Sequence, residues 1–365
     1  MKKLLANLLK IGISAGIITY LMLDARGNDV FSQLRDGPKQ WSLLLLAWLL
    51  LFTAVLVTIV RWYLLVRALE LPFRLRDAFR LGFLGYLLNF VSLGSVGGDL
   101  FKAIFIAREQ PGRRAEAVAT VFIDRVIGLY AMFIVATIAI LSTNLWAMQI
   151  PQIRVISRVT VLGAGLGAFM ITMMLVPGIT NGALSKWLSN LPRVGYTFRR
   201  LIGAVRIYRR RLPILVVALL MSIGVHMLAT TGIYLVAVGL PGNVPSFGEH
   251  FLVVPLALVA SALPLPLMGL GAFEAVIVIL YTSLPVAVPV GESQGLVVAL
   301  GYRIITILIA AVGAWYYVFS RREVSELMHE AEESIEENGA LAVGGEAVAE
   351  ALSQGGASQS SAAAN

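Results

Sequence analysis

Four ionisable side chains interrupt stretches that are otherwise apolar. Asp99 and Glu274 each follow a glycine-rich break, and Arg125 and Arg303 each sit inside an apolar run long enough, at about 20 residues, to cross a bilayer. A carboxylate in such a setting costs roughly 2.5–3.5 kcal/mol on insertion scales, so it is kept where it has a partner or a cavity. Both acids open a helical leg, where the helix dipole and unpaired N–H groups favour negative charge. Capping is one use for them, although Ser or Asn would cap at less cost. The arginines are permanently charged planar forks suited to carboxylate or phosphate. Asp99 can pair with Arg125 and Glu274 with Arg303, or each acid with the arginine of the other half. Lys102, three residues after Asp99, shares its helix face; it either neutralises Asp99 or snorkels to the membrane surface, and snorkelling is the expectation. Asp124 directly precedes Arg125, points to a different helix face and is no obvious partner for it. Asn89, Ser92 and Ser95 would line the first break with neutral hydrogen-bonding groups. The candidate substrate-binding residues are thus Asn89, Asp99, Lys102, Arg125, Glu274 and Arg303, with no catalytic residue among them.

The elements that must position them follow from composition. Of 365 residues, 58% are hydrophobic and 14% charged, against about 25% charged in a soluble domain. There is too little polar surface to cover a water-soluble fold, so the chain reads as an all-α integral membrane protein. Apolar runs near 4–23, 41–66, 117–142, 155–176, 212–239 and 295–319 read as full spans. The first begins with Lys2 and Lys3, but Leu23-Asp24-Ala25-Arg26 offers no small-residue cleavage site, and a retained anchor is expected. Regions 79–106 and 251–284 are broken in the middle, at Gly97 and Gly98 in one and at Pro266, Gly269 and Gly271 in the other. Folded in two, the first gives legs of about 13 residues and about 20 Å, too short for a core of about 30 Å. Non-helical backbone at that depth survives only inside protein or beside a wet cavity, so two re-entrant hairpins are expected, their tips marking a cavity.

Charge placement orients the chain. With a cytoplasmic N-terminus and both broken regions as hairpins, 22 Lys and Arg fall on the cytoplasmic side, Arg61 to Arg80 among them, and five outside. Both termini are then cytoplasmic, in a cell membrane. Residues 1–322 carry a net +17 and form the polytopic membrane domain; residues 323–365 carry −9 and read as an acidic, largely disordered tail. Residues 183–211 interleave apolar side chains with eight cations and read as an amphipathic helix on the cytoplasmic face.

Each half shows a glycine-rich break, an acid opening the second leg, then a span with an arginine; the acid-to-arginine separations are 26 and 29 residues. One hairpin enters from each side, the pattern of an inverted-topology repeat with a site near the midplane. Other chemistries are missing. The chain has no cysteine, and His226, His250 and His329 form no ligand-spaced pair, so neither metal nor cofactor is expected. There is no phosphate loop, nucleophile elbow or H-E-x-x-H, so no enzyme is expected. Nucleic acid is a poor partner for so apolar a chain. His226 reads as a packed, hydrogen-bonded histidine, and Gly163-x-x-x-Gly167 permits close helix contact.

Four motifs, Asn89…Gly97-Gly98-Asp99-x-x-Lys102, Asp124-Arg125-x-x-Gly128-Leu129, Gly269-x-Gly271-x-x-Glu274 and Arg303, resemble the lysylphosphatidylglycerol synthase transmembrane-domain family of flippase-like proteins over residues 5–320. Lys102 stands where the family often has Arg, and Asp124 where it often has Glu. The resemblance implies a helical bundle that moves an aminoacylated, isoprenoid-linked or other phosphate-headed lipid between leaflets, with membrane lipids as partners. It covers the translocating half and not the synthetic half, so a separate lipid-modifying enzyme is expected to make the substrate. The rival expectation is a non-transporting scaffold that docks such an enzyme through the tail and the 183–211 helix; a small-solute transporter is a third.

Overall fold

The computed structural model describes residues 35–91, 97–142, 151–175, 208, 211–261, 271–284 and 294–319. Within them the ordered elements are helices: α1 (Trp41–Ala68), α2 (Leu75–Val91), α3 (Gly97–Glu109), α4 (Arg114–Ser142), α5 (Pro151–Leu175), α6 (Leu212–Gly239), α7 (Phe247–Ser261), α8 (Ala272–Ser283) and α9 (Gln294–Phe319). The protein is an all-α membrane protein. Four stretches, all of α1 and α6 and most of α4 and α9, have the length and apolarity of a membrane span. The predicted spans match α1, α4, α5, α6 and α9 to within a few residues. The predicted span at 4–23, most of the 183–211 helix, Ser92, Ser95, the break residues Pro266 and Gly269, and the 323–365 tail lie outside the described residues.

Two series of four helices share one plan: a long helix, two short ones, and a second long one. α1, α2, α3 and α4 have 28, 17, 13 and 29 residues; α6, α7, α8 and α9 have 28, 15, 12 and 26. The two series run in opposite directions, as the α1–α6 contact shows. The Gln40 N–H, just before α1, donates to the Gly239 carbonyl at the end of α6 (3.0 Å). Midway, Gly232 of α6 lies against Leu51 and the Ala47 carbonyl. At the far end the Tyr208 hydroxyl donates to the Leu65 carbonyl (2.9 Å), and Arg211 pairs with Glu70. The two helices are antiparallel over nearly their full length, and a Cβ on Gly232 or Gly239 of α6 would press on Leu51 or Leu44 of α1.

The short helices return to the end they left. Gln110 and Arg113, which precede α4, donate to the carbonyls of Pro72 (2.8 Å) and Leu69 (2.9 Å), just after α1. So α2 and α3 form a hairpin that opens at the C-terminal end of α1. In the second series Gln294, the first residue of α9, donates to the Pro241 carbonyl just after α6 (3.0 Å), so α7 and α8 open at the C-terminal end of α6. Because α1 and α6 are antiparallel, the hairpins enter from opposite ends of the bundle. At about 1.5 Å per residue none of their helices matches the roughly 42 Å of α1.

Glycines set the first hairpin. A Cβ on Gly98 of α3 would collide with the Gly85 carbonyl of α2, so the backbones meet directly. The Gly98 N–H donates to the Asn89 side chain (2.9 Å), which fixes the approach to the tip. On its other side α2 lies against α9, where Gly313 meets the Phe83 carbonyl and the rings of Phe83 and Tyr316 stack at 6.2 Å. Gly163 and Gly167 of α5 receive the rings of Phe133 and Tyr130 from α4, which is contact within the chain. The exposed large side chains of α5 and α9, such as Leu162, Phe169, Ile304 and Ile307, are suited to lipid.

Candidate functional site

Each hairpin brings its acid to the arginine of the long helix that follows. Asp99 lies in the first turn of α3, and Arg125 of α4 donates from Nε to its Oδ2 at 2.6 Å, with Nη2 also bound to that oxygen. Glu274 lies in the first turn of α8, and Arg303 of α9 donates to its Oε1 from Nε (3.1 Å) and Nη2 (2.7 Å). Pairing is therefore within each half, which resolves the two alternatives that the spacing left open. Both pairs join the start of a hairpin's second helix to the middle of a long helix.

Glu274 does two jobs. Its Oε2 accepts the Gly271 N–H at 2.7 Å, capping α8, while Oε1 holds Arg303. Gly271 has φ +94°, a left-handed conformation that a side chain would strain. It is the break residue that lets the chain enter α8 with its N–H turned back onto Glu274. The Arg303 guanidinium also lies over the Phe273 ring, 5.8 Å from its centroid. This pair is dry, with side-chain exposures of 9% for Arg303 and 5% for Glu274.

The first-half pair is wetter and less balanced. Side-chain exposure is 39% for Arg125 and 21% for Asp99. Lys102 does not snorkel outward. Its Nζ lies 3.5 Å from Asp99 Oδ1 and 5.5 Å from the centroid of the Trp62 ring on α1, and its side chain is 14% exposed. Gly85 makes the inward path possible, since a Cβ there would come within 2.8 Å of Lys102 Cε. The alternative role, neutralising Asp99, is the one that this geometry supports. Tyr86, the next residue on α2, lies within electrostatic reach of Tyr302 and Arg303 on α9, so α2 has one hairpin's acid cluster on one side and the other half's arginine on another.

A third buried pair holds the long helices. Arg61 of α1 donates from Nε to Asp124 Oδ1 of α4 at 2.7 Å and from Nη1 to the Ser222 hydroxyl of α6 at 2.6 Å. Arg61 therefore does not belong with the cytoplasmic loop charges; it is buried within a span, and the charge asymmetry survives its removal. Asp124 indeed faces away from Asp99, as its helix position implied, and its partner is 63 residues upstream. Sequence offered one signal for this: Arg61 lies inside the predicted apolar run 41–66, between one and two turns from its end, the same kind of anomaly as Arg125. Nearby, His226 Nε2 donates to the Gly128 carbonyl at 2.9 Å, the packed histidine expected.

All six candidate residues thus fall on two clusters. Asn89, Asp99, Lys102 and Arg125 gather at the α2–α3 hairpin, and Glu274 and Arg303 at α8–α9. Together they can hold an anion at Arg125 and Lys102 and exchange it for Asp99. Among the described residues no group of three His, Asp or Glu side chains is placed to hold a metal ion. A family model described as the lysylphosphatidylglycerol synthase TM region matches residues 7–313. No curated protein matches the chain.

Proposed function

The chain belongs to the lysylphosphatidylglycerol synthase TM-region family, and from that membership we propose that it moves a phosphate-headed lipid between membrane leaflets. The observation that carries this reading is the pair of hairpins entering from opposite ends, each delivering an acid–arginine pair to the interior. A headgroup needs a polar path through the apolar layer, and paired charges in broken helices supply one while acyl chains stay in lipid. Arg125 or Arg303 meets the phosphate. Asp99 and Glu274 hold each arginine when no headgroup does, and they receive a cationic group or proton as access alternates. The unequal exposure of the two pairs suits a state open at the α2–α3 hairpin and closed at the other.

In this reading the protein lies in the cell membrane with both termini cytoplasmic, so the open hairpin faces the cytoplasm. It makes and breaks no bonds. Its partners are membrane lipids and a separate enzyme that synthesises the headgroup.

The test is translocation of headgroup-labelled lipid in vesicles containing the purified chain. Flux above that of protein-free vesicles, lost in Glu274→Gln, is expected. Flux equal to protein-free vesicles, with and without a proton gradient, overturns the reading in favour of a scaffold.

A further inference from the structure

The two acid–arginine pairs follow one plan and differ in wetness, and the first hairpin touches the helices that carry both arginines. Through Asp99 its α3 reaches Arg125 on α4. Its α2 meets α9, the helix of Arg303, where the Phe83 carbonyl faces Gly313 and the Phe83 and Tyr316 rings stack. Phe83 and Gly85 are two positions apart on α2, about 200° around the helix, so α9 and α3 lie against opposite sides of it. Thus α9, α2, α3 and α4 stand in succession, with the hairpin in the middle. Tyr86, on the side of α2 nearer Phe83, is the residue within electrostatic reach of Arg303.

The hairpin is stiff inside. Gly85 and Gly98 meet backbone to backbone, the Gly98 N–H donates to Asn89 at 2.9 Å, and Arg80 of α2 lies over the Phe105 ring of α3. Backbone contact leaves no side chain to compress, so α2 and α3 shift together. The helices on either side are fastened elsewhere. Arg61 ties α4 to α1 and α6, and Gly301 of α9 lies against Val236 and Leu240 of α6. A rigid hairpin between two held helices gains contact on one side as it gives it up on the other. The exposures fit one such position: 39% for Arg125 on the α4 side, 9% for Arg303 on the α9 side.

We propose that the α2–α3 hairpin rocks as one body between α4 and α9, pivoting where Phe83 crosses Gly313, so that the two acid–arginine pairs are uncovered in turn. Leaning on α9, as here, it closes over Arg303 and leaves Arg125 accessible. Leaning on α4, it covers Arg125 and opens Arg303. Tyr86 is the positioning residue that holds the first of these states. The motion needs only a small shift, because packed interfaces switch between discrete arrangements rather than deform continuously. This inference rests on the transport reading for its purpose, which is to keep the two ends of a headgroup path from opening together.

The experiment measures spin-label distances in the full chain, which has no cysteine to compete with introduced ones. Leu100→Cys on α3 is paired with Phe122→Cys on α4 or with Ile304→Cys on α9, all exposed positions, in nanodiscs of phosphatidylglycerol and phosphatidylethanolamine. Glu274→Gln leaves Arg303 without its acid, and a charge so deprived is favoured in the state that wets it. The Leu100–Phe122 distance should then shorten by a few ångström and the Leu100–Ile304 distance lengthen. Tyr86→Phe should move both the same way by less, with its unfolding midpoint close to that of the parent chain. Asp99→Asn, which deprives Arg125 instead, should keep the parent distances. Two distances that stay fixed in Glu274→Gln and Tyr86→Phe, or that lengthen together as general loosening would make them, overturn the inference. Vesicle translocation run in parallel separates the two claims. Opposed distance changes without translocation sink the transport reading and leave the rocking; translocation with fixed distances sinks the rocking alone.

Discussion

Arg61 on α1 grips Asp124 on α4 at 2.7 Å, one residue before the arginine that reaches Asp99. Successive helix residues point about 100° apart, so adjacent charges on α4 are anchored in two directions. Asp124 faces the α1–α6 contact through Arg61 and Ser222, and Arg125 faces the α3 hairpin. The Arg61–Asp124 pair therefore sets the azimuth of the helix that carries Arg125. Gly128, one turn on, lies beside the same contact: the Arg61 guanidinium is 3.5 Å from where its Cβ would be, and its carbonyl accepts from His226.

Removing one partner of that pair should be costly. Asp124→Asn leaves the buried Arg61 charge uncompensated and is expected to destabilise the chain by about 3–5 kcal/mol. The double variant Arg61→Met with Asp124→Leu removes both charges and should recover most of that loss. Unfolding midpoints in detergent decide it; a double variant as unstable as Asp124→Asn would mean that the pair supplies more than compensated charge.

The fold was legible in the sequence wherever length and apolarity sufficed, which covers α1, α4, α5, α6 and α9. The Gly-Gly-Asp and Gly-x-Gly-x-x-Glu breaks also marked both hairpins, because a buried acid behind a glycine has few bland uses. Partner choice was not legible. Arg61 lies near the end of an apolar run that also reads as the start of a basic loop, and only the antiparallel α1–α6 contact shows it to be interior. Lys102 was expected to snorkel because lysines near a helix end usually can; the backbone contact of Gly85 with Gly98, invisible in one dimension, opens an inward path instead.

The Gly85–Gly98 contact makes a sharp comparison. Gly98→Ala must push α3 from α2 and should cost about 1–3 kcal/mol, with loss of the Asn89 hydrogen bond and of any headgroup function. Gly165→Ala on α5, where an added Cβ meets nothing within 4 Å, should be neutral or slightly stabilising. Thermal unfolding of the two variants side by side tests this, and equal effects would refute the close approach.

Hairpin direction can be read chemically, because the chain has no cysteine to interfere. Single cysteines at Arg74 and Pro111 flank the first hairpin, and one at Asn243 precedes the second. An impermeant maleimide applied outside intact cells should label the Asn243→Cys variant and spare both others, which react only after permeabilisation. Labelling of Arg74→Cys and Pro111→Cys from opposite sides would mean that the first hairpin crosses the membrane.

The last prediction turns on both Glu274 oxygens being engaged, one by the Gly271 N–H and the other by two Arg303 nitrogens. Glu274→Gln keeps the shape but offers one oxygen where Gly271 and Arg303 each need one, and it aims an amide N–H₂ at a donor. A charged group deprived of its partner loses about 1.5–3 kcal/mol, so headgroup translocation should fall roughly 10- to 100-fold. Arg303→Lys retains the charge but replaces a two-nitrogen grip with a single ammonium, so its rate should lie between wild type and Glu274→Gln. Rates in vesicles, set beside unfolding midpoints, separate lost function from lost fold. Glu274→Gln at the wild-type rate would show that this pair only fastens α8 to α9.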